Sequence, residues 1–127
     1  MNNPWHRYGM EEKIVKILGE FEDTGRHFGR PFITAYQLAI EYDINNHGDV
    51  VDWGISIGGT DTGEHISLVL YIARTLAGII RDNPDYRIEG AFLSSRHQRE
   101  LSYNHNNVII TSSITGRSGT LSMFRLR

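Results

Sequence analysis

The chain contains no cysteine, which excludes a disulfide scaffold, an iron–sulfur cluster, a thiolate zinc site and a cysteine nucleophile. Proline is scarce, with three residues in 127, and no linker or low-complexity tract interrupts the sequence. No apolar run approaches the roughly 18 residues of a membrane span. The first residues, Met1 to Arg7, lack a basic start followed by an apolar core, so no secretory signal is expected and a cytoplasmic setting, away from membranes, is the default expectation. Lysine is also rare: two Lys stand against eleven Arg, with no basic run of the kind that marks an electrostatic footprint.

What is present describes one ordinary domain. Hydrophobic residues make up 39% and the formal net charge is -2, neither of which suits a disordered chain. A single core at this length buries about two-thirds of the unfolded surface. The small net charge is a sum of opposites. Residues 1–63 hold five basic and ten acidic side chains (-5), and residues 64–127 hold eight and five (+3).

Periodicity divides the chain into a helical half and a strand-rich half. Met10, Ile14, Ile17, Leu18 and Phe21 share one stripe of a helix expected over 10–22. Residues 23–31 form a glycine- and proline-punctuated loop carrying Arg26, His27 and Arg30. Thr34 and Gln37 have capping-box spacing, and Ile33 with Leu38 that of a hydrophobic staple, so a second helix starts there and ends near 45–48. Val51, Trp53, Ile55 and Ile57 alternate with small or polar residues, which predicts a half-buried strand. A long apolar helix is expected from about 63 to Asp82, where Asn83-Pro84 stops it. Beyond it, Tyr86–Ser94, Arg99–Asn104, Val108–Thr115 and Leu121–Leu126 read as strands of an antiparallel meander. The expected fold is α+β, with three helices on one face of a mixed, mostly antiparallel sheet of four or five strands. The 51–57 strand joins it through a right-handed crossover.

Few constellations carry chemistry. Gly58 to Gly63 has the glycine spacing that opens a phosphate-binding loop, but Glu64 and His65 stand where the lysine and hydroxyl residue belong, and Asp61 repels phosphate. Asp61 and Glu64 have capping-box spacing, so their simplest role is to cap the long helix; Thr60, Asp61, Thr62, Glu64 and His65 are the ligand-binding candidates at that helix start. None of the six histidines pairs with another at metal-ligand spacing, so neither metal nor cofactor is expected. Asp85 and Glu89 precede a β-run as in nuclease cores, yet Ala91 replaces the lysine that chemistry needs. Arg26, His27 and Arg30, and Arg96, His97 and Arg99, form two basic segments suited to an acidic partner.

With no assembled catalytic set, the expectation is a non-enzymatic binding module for a protein or small-molecule ligand. Its expected self-association runs through an edge strand at 121–126. A small hydrolase or nuclease is the alternative, with a composite site drawn from Asp61, Glu64, His65, Arg96, His97 and Arg99. The order of helices followed by hairpins also resembles a winged-helix DNA-binding domain, with Ile33–Ala39 placed like the second helix of a helix-turn-helix. Against nucleic acid stand the connection of about twenty residues with its predicted strand, the apolar third helix and the negative net charge.

Overall fold

The computed structural model describes residues 3–58, 67–98, 101–112 and 121–127. The chain is an α+β protein. Asn3 caps a single-turn helix α1 (Pro4–Arg7), followed by α2 (Met10–Gly19), β1 (Ile33–Thr34), α3 (Ala35–Asn45), α4 (His47–Trp53) and α5 (Leu68–Asp82). Four strands complete the described elements: β2 (Ile88–Leu93), β3 (Ser102–His105), β4 (Val108–Thr111) and β5 (Leu121–Leu126). No helix among the described residues is long and apolar enough to cross a membrane.

The helix signals read from the sequence have identifiable physical origins. Thr34 accepts from the Gln37 N–H at 3.1 Å while the Gln37 side chain accepts from the Thr34 N–H at 2.7 Å, the reciprocal cap that starts α3. Helix α2 stops at Gly19, three residues short of the expected end. Its last turn tightens there, with Glu20 and Phe21 donating to Ile17 and Leu18 carbonyls, and the Arg30 guanidinium takes the Gly19 and Phe21 carbonyls. The core is built from Met10, Ile14 and Leu18 of α2, Leu38 and Tyr42 of α3, and Leu68, Ile72 and Leu76 of α5. Ile88 and Phe124 close it from the sheet.

Three expectations about the sheet are corrected. First, residues 51–53 belong to helix α4, and no strand forms over 51–57. Asp49 in the first turn of α4 accepts from Lys13 at 2.6 Å and from the Tyr42 hydroxyl at 2.7 Å, which ties α4 to α2 and α3. Ile55 and Ile57 do pack on the core, but from an extended segment whose Ser56 and Ile57 carbonyls accept from the Leu68 and Val69 N–H groups. Without that strand there is no crossover, and every pairing among the described strands is antiparallel.

Second, the C-terminal strands are not a meander. They form a three-stranded sheet in the order β1-β5-β2 and a separate two-stranded hairpin, β3-β4. The turn after β2 redirects the chain, with Gln98 donating to the Ser95 carbonyl and His97 held at φ 65°. Strand β3 accordingly begins at Ser102 and takes in His105, and the turn beside it is the pair Asn106-Asn107, both left-handed. Third, β5 lies in the middle of its sheet, with Phe124 opposite Ile33 on one side and Gly90 on the other. The edge expected at 121–126 is absent, and among the described residues the sheet edges are β1 and β2.

Candidate functional site

Helix α5 shows one stripe to solvent. Leu70, Arg74, Ala77 and Arg81 recur at helical spacing along its exposed side, while Leu68, Ile72 and Leu76 face the core. Ser67 caps the helix by accepting from the Leu70 N–H. Leu68 donates to Ser56, Val69 to Ile57 and Tyr71 to the Ser67 carbonyl, so the first-turn N–H groups that an anion would need already have acceptors within the chain. Arg74 has no ion-pair partner among the described residues, whereas Arg81 donates to the neighbouring Asp82 at 3.0 Å. That contact is fully exposed and contributes little. Beside the stripe, Ala77, Ile80 and Arg81 meet Gly90, Phe92 and Phe124 around an apolar groove of about 270 Å³. Phe92, on the edge strand β2, is 68% exposed.

The basic segments proposed from the sequence divide. Arg96 and His97 are exposed in the turn leaving β2, in reach of solvent. Arg26 and His27 are exposed as well, but Arg30 is half-buried and serves as the carbonyl clamp at the end of α2. Arg125, which was not among the candidates, completes this loop. It pairs with Glu89 at 2.7 Å, donates to the Phe28 and Arg30 carbonyls and lies over the Phe32 ring at 4.3 Å. Arg26, Phe28, Arg30 and Arg125 surround a cavity of about 540 Å³ whose two innermost guanidiniums are already committed to the fold. Glu89 is held by Arg125 and, at 3.7 Å, Arg127, which removes it from the nuclease-like pattern. Thr60, Asp61, Thr62, Glu64, His65 and Arg99 lie outside the described residues.

A buried polar cluster escaped the sequence reading. Asp43, on α3 with its side chain 7% exposed, accepts from His47 Nδ1 at 2.8 Å through one oxygen and from His105 Nε2 at 2.6 Å through the other. His47 begins α4 and its side chain is 67% exposed, whereas that of His105, from β3, is 8% exposed. Burial pushes the Asp43 carboxyl upward, but the hydrogen bonds from His105 and His47 outweigh it and hold the group below its usual range. Both imidazoles direct a nitrogen at the carboxylate instead of a shared point, and no metal-holding cluster occurs among the described residues. The signal that would have found half of it is Asp43-x-x-x-His47, an i, i+4 pair that spans the junction of α3 and α4.

Comparison with protein-family models, with curated proteins and with solved structures gives no match for this chain.

Proposed function

We propose that the chain is a non-enzymatic binding module with a winged-helix arrangement, whose α5 face and β2–β5 connection engage a nucleic-acid duplex. The observation that carries this reading is the sheet order β1-β5-β2 together with the core helices α2, α3 and α5, the short α4 lying between the last two. In that arrangement the short β1 precedes the second helix, the last strand lies in the centre, and the segment between the other two strands is the wing. Of the objections raised by the sequence one is removed, the strand predicted over 51–57, since residues 51–53 lie in the short helix α4; the length of the connection is unchanged. A helix of 15 residues is about 22 Å long, and its width suits the major groove. Arg74, Arg81 and Arg96 supply phosphate contacts from the basic half of a chain whose acids lie mainly in residues 1–63. Self-association stays within this reading, with its support moved from β5 to the edge strand β2 and the exposed Phe92.

The test is fluorescence anisotropy with a mixed-sequence duplex at about 50 and 200 mM salt, where phosphate contacts show as a steep loss of affinity. Arg74→Ala and Arg96→Ala are each expected to reduce the log–log salt slope by about 1. Failure of the wild-type protein to bind the duplex at low salt would overturn the proposal, as would unchanged salt slopes in both variants.

A further inference from the structure

The β3-β4 hairpin is mounted on the domain in an unusual way. It shares no backbone ladder with the three-stranded sheet among the described residues. It is closed at one end by Ser112, whose N–H donates to the Leu101 carbonyl at 2.7 Å while its hydroxyl accepts from the Leu101 N–H at 3.2 Å. At the other end, Asn106 and Asn107 make the two-residue turn, at φ 52° and 62°. A two-stranded hairpin with no third strand is marginal in water, so its place depends on side chains beneath it.

Two of those side chains come from one face of α3. Tyr36 stacks on Tyr103 with ring centroids 5.3 Å apart and planes 6° from parallel, and Asp43 takes His105 at 2.6 Å. Tyr36 and Asp43 are seven residues apart, two turns along the same helix side, while Tyr103 and His105 are two apart on the same face of β3. The four residues therefore fix both the position and the direction of the hairpin on α3, a stack at one point and a charged hydrogen bond at the other. The second is the directional one, and Asp43 is held by His47 from the opposite side so that its oxygens cannot rotate away.

We infer that Asp43 is a positioning residue for the hairpin: through His105 it latches the β3-β4 arm to α3 and so sets where this part of the β2–β5 connection stands when a duplex is bound. This inference rests on the duplex reading above for its functional half. The latch itself rests on the geometry alone. Asp43 touches no nucleic acid in this scheme and acts only by holding the arm.

Amide hydrogen exchange and duplex binding test the two halves separately. Asp43→Ala and His105→Ala are expected to speed exchange at residues 102–111 by about tenfold relative to amides of α2 and α5. Asp43→Asn keeps an acceptor for His47 and offers a donor to the other tautomer of His105, so it is expected to restore most of the hairpin protection. If Asp43→Ala destabilises the whole domain, His105→Ala, which lies on the arm, still reports the ratio of hairpin to core exchange. Hairpin exchange within twofold of wild type in both alanine variants overturns the latch. In the binding arm, the same variants should weaken duplex affinity several-fold at an unchanged salt slope, because no phosphate contact is lost. Faster hairpin exchange with wild-type affinity overturns the functional role, while a wild-type protein that binds no duplex removes the duplex reading and leaves the exchange result to judge the latch.

Discussion

Replacing Gly58 by alanine is the most informative single perturbation of the platform on which α5 stands. Gly58 has φ 139°, and a Cβ built there falls 2.9 Å from Val69 Cγ2 and 3.1 Å from Val69 Cβ. Val69 cannot withdraw freely, since it is buried and its N–H is bonded to the Ile57 carbonyl at 2.9 Å. Two costs combine: backbone strain of about 1–3 kcal/mol for a non-glycine residue at that φ, and overpacking of about 1–3 kcal/mol. A loss of about 4 kcal/mol is the central expectation. Unfolding entropy near 2.1 cal/mol/K per residue gives about 0.27 kcal/mol/K for this chain, so Tm should fall by about 15 °C. Gly78→Ala is the matched control on α5, where a Cβ meets nothing within 4 Å. It removes the helix penalty of glycine, about 0.8–1 kcal/mol, and should raise Tm by about 3 °C. Differential scanning calorimetry reads both. A Tm loss below about 3 °C for Gly58→Ala would refute the claim that this extended segment is packed immovably against the start of α5.

Three further outcomes follow from the packing. Thr34→Ala should cost about 1 kcal/mol in urea denaturation, and Gln37→Ala added to it should cost less than the sum of the separate losses, because the two side chains form one reciprocal cap. Asp43 is held below its ordinary value near 3.8, so its contribution is complete above that value and disappears as the pH falls through the lowered one. The stability of Asp43→Asn followed by urea melts from pH 6 downward should therefore approach that of wild type at the acid end, and a constant gap would contradict the assignment. Phe92→Ser should shift sedimentation toward a smaller species at micromolar concentration, and a wild-type protein that is already monomeric there removes self-association at the β2 edge.

Local chemistry was legible and long-range pairing was not. The capping box at Thr34 and Gln37 is complete within four residues, and it starts α3 where the sequence says. The alternation at 51–57 identified Ile55 and Ile57 as core-facing, yet such a pattern cannot reveal whether a partner strand exists, and here the preceding residues coil into α4 under the hold of Lys13 and Tyr42 on Asp49. The short turns in the last forty residues implied neighbouring strands. What broke that inference is the left-handed turn at His97 together with the pairing of β2 and β5 across 27 intervening residues. The Asp43 cluster was hidden for a similar reason, since His105 lies 62 residues away and a search for histidine pairs passes over a shared carboxylate. Arg30 shows the reverse case: a loop arginine read as a contact for partners holds the end of its own helix.

The central place of β5 also governs the order of folding events. Strand β1 is two residues long and finds its only described partner about ninety residues further along the chain. Closing so long a loop must precede any reward from the ladder, which places sheet formation late and makes it slow relative to helix growth. Until β5 arrives, Ile33 and Ile88 have no strand between them, and the helices must wait with one side of their common core open to water. The time that the molecule spends with that surface bare, and hence its tendency to aggregate during refolding, is set by this one late strand.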